Sequence, residues 1–102
     1  MKTFEQIRQQ LMNGEFGFSR HAFKRAVERN ISDSEIAQAS ETAELIEDYP
    51  DDKYSPGCLI LGFTKGNRPL HIQVSFADTP MVRIITLYEP DPEEWIEFRK
   101  RR

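Results

Sequence analysis

The sequence predicts an α+β domain: N-terminal helices packed on an antiparallel sheet of about four strands, closed by a C-terminal helix. Three observations predict it. Apolar residues recur at helical spacing up to Ala39, and from Ala43 the pattern turns to β-branched runs and period-two alternation. A Pro90-Asp91-Pro92 stop is then followed by one more helical pattern. The 102 residues make a single domain, 1–102, and seven Phe, three Tyr and one Trp supply the bulk for one core.

Phe4, Ile7 and Leu11 fall on one helix face, and Asn13-Gly14 stops that helix. Phe16-Gly17-Phe18 is a brief extended link, after which Ser19 caps a second helix that Asn30 ends. Ser32 and Glu35 have the capping-box spacing and open a third helix through Ile36 and Ala39. Leu45 to Tyr49 is a strand running into the turn cluster Pro50-Asp51-Asp52. Cys58 to Phe63 is apolar on both faces, which suits a central strand with Leu59, Ile60, Leu61 and Phe63 buried. Lys65 to Pro69 makes a hairpin-type connection. In Leu70 to Phe76, Leu70, Ile72, Val74 and Phe76 share one face, and His71, Gln73 and Ser75 share the other. Val82 to Tyr88 is the longest β-branched run, and Glu93 to Lys100 reads as the last helix with Trp95 and Phe98 inward.

Net charge is −3, which speaks against a protein that coats nucleic acid without specificity. The charges are segregated, however. Glu41 to Asp52 and Glu89 to Glu97 are acidic blocks, whereas the second helix and the Arg99-Lys100-Arg101-Arg102 tail are basic. No apolar run is long enough to span a bilayer, and Met1 to Gln6 carries no signal-peptide core. A lone Cys58 leaves no internal disulfide and points to a reducing cytoplasm. One Cys and two His do not make a closed zinc site within one chain. No cofactor motif is present.

Chemistry gathers at two places. His21, Arg25 and Arg29 are spaced i, i+4, i+8 and form a cationic strip beside the apolar arc of Ala22, Phe23, Ala26 and Val27. Such a strip either meets an anion or pairs with the acidic blocks. The row His71, Gln73, Ser75 is the second place, next to a loop carrying Lys65 and Arg68. With the second helix packed across this sheet, two imidazoles, several cations, Gln73 and Tyr88 converge on one cleft. What that set can do without metal is RNA cleavage through the 2′-hydroxyl: one His takes the proton, Arg neutralises the phosphate, and a second His or Tyr protonates the leaving oxygen. Both histidines are then expected at a rim, mattering more for turnover than for folding.

Four blocks carry a family resemblance. They are His21-x-x-x-Arg25-x-x-x-Arg29-x-Ile31, Ile46 to Pro50, Arg68 to Ile72, and Ile84 to Pro92. In this order they resemble domain of unknown function family 4258, from Ser19 to Arg102. The resemblance implies a small bacterial protein of the RelE/ParE and MqsR type of toxin fold, with a helix-turn-helix or zinc-finger antitoxin as partner. It also implies a metal-independent endoribonuclease whose sheet carries Lys, Gln and Tyr, positions that Lys65, Gln73 and Tyr88 fill here. Two readings follow. In the first, His21, His71 and Tyr88 are catalytic and Arg25, Arg29, Lys65 and Gln73 bind RNA. In the second, the chain is a catalytically inactive protein-interaction module of the same fold.

Overall fold

The computed structural model describes residues 1–53 and 55–102. Three nine-residue helices, α1 (Phe4–Met12), α2 (Arg20–Glu28) and α3 (Asp33–Glu41), are each fixed by their own ends. Thr3 and Gln6 make a capping box for α1, and Ser32 and Glu35 make the one expected for α3. The Ser19 hydroxyl accepts the Ala22 N–H at the start of α2. Asn30, at φ +54°, ends α2 in a Schellman turn in which the Ile31 N–H donates to Ala26 O and the Asn30 N–H to Val27 O.

The strands are β1 (Phe16–Phe18), β2 (Glu44–Tyr49), β3 (Gly57–Phe63), β4 (Pro69–Ser75), β5 (Val82–Tyr88), β6 (Trp95–Ile96) and β7 (Lys100–Arg101). The first five form one sheet in the order β1-β5-β4-β3-β2, all antiparallel except β1, which runs parallel to β5. The Phe16–Phe18 link is therefore a fifth strand, and the sheet is mixed. β2 to β4 form a meander from adjacent stretches of chain, whereas β1 pairs across more than sixty residues of sequence.

The C-terminal helix expected from Glu93 to Lys100 does not form. Asp91 instead directs a tight turn, its side chain accepting the Glu93 N–H and its carbonyl accepting from Glu94 and Trp95. β6 and β7 then pair as a hairpin, Trp95 opposite Arg101. The i, i+3 spacing of Trp95 and Phe98 fits a helix, but eight residues after a proline make too short a helix to stand on propensity. Packing decides: the hairpin delivers Trp95 edge-on to His71 and Phe98 against Phe63.

Both faces of the sheet are covered. Cys58, Ile60, Leu70, Ile72, Val74, Ile84 and Leu87 join Ile7, Leu11, Ala22, Ile36 and Ala39 in the core under the helices. Gly62 lies beneath α3, where an added Cβ would come within 1.9 Å of Ala39 O. On the opposite face the register sets Leu61, His71 and Tyr88 in one cross-strand row and Leu59, Gln73 and Thr86 in the next. The C-terminal hairpin sits over the first row. Leu59, Ile60 and Leu61 are buried as expected, whereas Phe63, at the end of β3, is half-buried.

Candidate functional site: a cationic rim beside the sheet

β1 covers only the Val82–Ile84 part of the outer edge of β5, and α2 covers the rest. The Ser19 hydroxyl donates to Ile85 O at 3.1 Å, and Arg29 Nη1 donates to Leu87 O at 2.6 Å. α2 is thus a plug for an open strand edge, held at both ends by polar side chains. Its strip of His21, Arg25 and Arg29 spans about 12 Å at the helical rise of 1.5 Å per residue.

The three members of that strip have different surroundings. His21 is exposed and lines a cavity of about 360 Å³ with Ser19, Arg20, Arg83 and Ile85. Arg25 is paired with Glu28 at 2.8 Å, an exposed i, i+3 ion pair. Arg29 is tied to the Leu87 carbonyl and lines a second cleft of about 460 Å³ with Arg68, Tyr88, Glu89, Asp91 and Glu94. The two arginines read from the sequence as phosphate ligands are thus engaged by the fold. Arg20 and Arg83, which have no carboxylate within ion-pair distance among the described residues, share the His21 cavity instead. Arg83 escaped the sequence reading because it sits inside an apolar strand run. The placement of Ser19 against Ile85 brings that strand beside the start of α2.

His71 lies elsewhere and in another condition. It is fully buried, with the Trp95 ring edge-on at 4.4 Å and the Tyr88 ring at 5.2 Å. Its Nε2 is 2.6 Å from Phe98 O and its Nδ1 is 3.2 Å from the Tyr88 hydroxyl. A carbonyl only accepts, so Nε2 carries the proton and the Tyr88 O–H donates to Nδ1. Burial pushes the imidazole below its ordinary value, although the Phe98 carbonyl and the Glu47 carboxylate favour the charged form. Burial likewise raises the Tyr88 phenol. A neutral ring with both nitrogens engaged and no solvent face is a fastening for the hairpin. His21 and His71 do not share a site.

The fastening holds strained backbone. Ile96 O accepts the Arg99 N–H across a turn whose central residues, Glu97 and Phe98, sit at φ +51° and +62° without being glycine. Arg101 packs over the Trp95 ring at 4.6 Å and donates to Glu47 at 2.9 Å, while Arg99 reaches Glu44 at 2.6 Å. Burial alone would raise the Glu47 carboxyl, but Arg101 and the Tyr49 hydroxyl outweigh it and hold the group below the ordinary range. The basic tail read from the sequence is, in its Arg99 and Arg101, a counterpart to the acidic strand β2.

The remaining predicted ligands are scattered. Gln73 Nε2 donates to Asp52 at 3.4 Å on the hairpin-covered face. Lys65 projects from the β3–β4 turn, where its backbone N–H donates to Gln38 Oε1. Arg68, beside it, is a clasp: it bonds Glu35, Glu89 and the carbonyls of Arg29 and Asn30. No helix among the described residues is long and apolar enough to cross a membrane.

Residues 18–89, more than half of the chain, match the model of a family described as Domain of unknown function (DUF4258). No curated protein and no solved structure matches the chain.

Proposed function

We propose that this chain, which belongs to the family DUF4258, is a toxin-like endoribonuclease of a bacterial toxin–antitoxin system, acting in the cytoplasm on RNA. The observation that carries the reading is the cavity at the start of α2. There an exposed imidazole, His21, lines one cavity with two guanidiniums, Arg20 and Arg83, that have no carboxylate within ion-pair distance among the described residues. A phosphodiester supplies the missing anion. His21 takes the 2′-hydroxyl proton, and the 2′-oxygen attacks phosphorus as the P–O5′ bond breaks. The 5′-oxygen picks up a proton from solvent, leaving a 2′,3′-cyclic phosphate. Arg20 and Arg83 hold the phosphate oxygens through the change. His71 has no part in proton transfer in this reading. It secures the hairpin.

The test is purified protein on a mixed-sequence RNA oligonucleotide, scored for cyclic-phosphate ends. His21→Gln is expected to slow cleavage about 100-fold or more, and Arg83→Ala to weaken RNA binding, both with an unchanged melting temperature because both side chains are exposed. Equal cleavage by wild type and His21→Gln overturns the assignment. A second reading, a protein-interaction module without catalysis, is favoured by Phe23 and Val27, which stand 60% and 66% exposed on α2. Absence of cleavage by the wild type decides for it.

A further inference from the structure

The two edges of the main sheet are treated very differently. β2 carries Glu44, Glu47 and Asp48, is broken by a bulge between Leu45 and Glu47, and is clasped by Arg99 and Arg101. Those are the devices that keep a strand edge from pairing with another chain. Among the described residues β1 carries no charge, bulge or ion-pair clasp, and its three-residue length is the one such device it has. The Val82 N–H donates to Glu15 O and the Ser19 N–H to Ile84 O, so Glu15, Gly17 and Ser19 turn their backbone groups to β5. By the alternation of a parallel ladder, the N–H and C=O of Phe16 and Phe18 face the open side.

Two grooves meet at this edge, one on each face of the sheet, and Phe18 lines both. On the helix face a groove of about 270 Å³ is walled by Phe23, Ala26, Val27 and Ile31 and bordered by Asn30, Ser32 and Asp33. On the other face a groove of about 310 Å³ is walled by Gly17, Pro80, Met81 and Arg83. Arg83 also borders the cavity of Arg20 and His21. The edge thus offers a largely apolar slot on one side and, on the other, Arg83 with Arg20 in the adjoining cavity, neither ion-paired among the described residues. A strand laid against β1 sends alternate side chains to the two faces.

We propose that β1 is the docking edge for an extended segment of a partner protein in which apolar and acidic residues alternate. The partner adds a strand beside Phe16–Phe18, seats its apolar side chains in the Phe23–Val27 groove, and turns its carboxylates toward Arg83 and Arg20. Charge selects this occupant over a second copy of the chain. Two copies meeting edge to edge would set Arg20 and Arg83 of one against the same cations of the other, whereas an acidic strand neutralises them. The inference stands on the edge and its grooves and does not require RNA cleavage, but an acidic strand there occupies the same Arg20 and Arg83 that hold the phosphate in the proposed function.

The probe is an acetylated eight-residue peptide of alternating Val and Glu, with alternating Val and Lys as its control. Binding is followed by calorimetry and by amide hydrogen exchange on the full chain. The Val–Glu peptide is expected to bind at least tenfold more tightly than the Val–Lys peptide and to slow exchange of the Phe16 and Phe18 amides. N-methylation of its alternate amides removes binding in one of the two registers, as backbone pairing requires. Phe23→Asp, at a position already exposed in the fold, weakens the Val–Glu peptide tenfold or more with the melting temperature unchanged. Equal binding of the two peptides, or protection at β2 in place of β1, overturns the proposal. So does a dimer in sedimentation whose Phe16 and Phe18 amides are protected without peptide.

Discussion

His71 shows how a residue type that suggests chemistry can be absorbed by architecture. Its two ring nitrogens are spent on the Tyr88 hydroxyl and the Phe98 carbonyl, and its faces on Trp95 and neighbouring strands. His71→Ala leaves a cavity and two orphaned polar groups, so a loss of about 3 kcal/mol in urea denaturation is expected. The pH dependence follows from the same burial. In the unfolded chain the ring takes up a proton as pH falls through about 6.5, whereas in the folded state burial holds its value lower. The stability that rests on a neutral His71 is therefore complete above that pH. It is lost as pH falls from there toward the folded value. Urea midpoints measured from neutral pH down to mildly acidic pH are expected to decline in the wild type and to decline less in His71→Gln. Equal slopes in the two proteins would refute the assignment.

At the scale of elements, α2 does two things: it fills the core with Ala22 and Ala26 and seals the β5 edge with its polar ends. Arg29 and Arg25 separate these contributions from mere surface pairing. Arg29→Ala removes a charge-assisted bond to a strand carbonyl, with an expected cost of about 2 kcal/mol. Arg25→Ala removes an exposed ion pair with Glu28, worth about 0.5 kcal/mol or less. Thermal denaturation of the two variants side by side tests the ranking. The helices were readable because Ser19, Ser32, Glu35 and Asn30 act through local geometry that sequence spacing encodes. β2 to β5 were readable because alternation and β-branching persist over six or seven residues. β1 was not, since three residues hold too little pattern. The C-terminal hairpin was not, because Trp95 and Phe98 fit helical spacing equally well and only the pocket around His71 selects the other conformation. The cationic strip was legible as a strip, but which of its members would stay free depended on Glu28, the Leu87 carbonyl and Arg83, all fixed by tertiary placement.

The whole molecule is a sheet with a helical layer on one face and a smaller hairpin lid on the other, and the tightest joint lies between α3 and β3. Gly62 lets the helix approach until Ala39 O occupies the space of a Cβ. Gly62→Ala forces that layer outward and is expected to cost about 3 kcal/mol, read from urea denaturation. A loss under about half a kcal/mol would show that the joint gives way easily. The parallel pairing of β1 with β5 has a consequence in time as well as space. Residues 16–18 find their partner only when residues 82–84 exist, so a chain growing from its N-terminus on the ribosome makes β1 and its helix long before it can seat them. β2, β3 and β4 pair with near neighbours and can assemble first, since long-range closures form slowly. During synthesis Phe16, Phe18 and the apolar side of α2 must therefore wait, exposed, for a strand made more than sixty residues later.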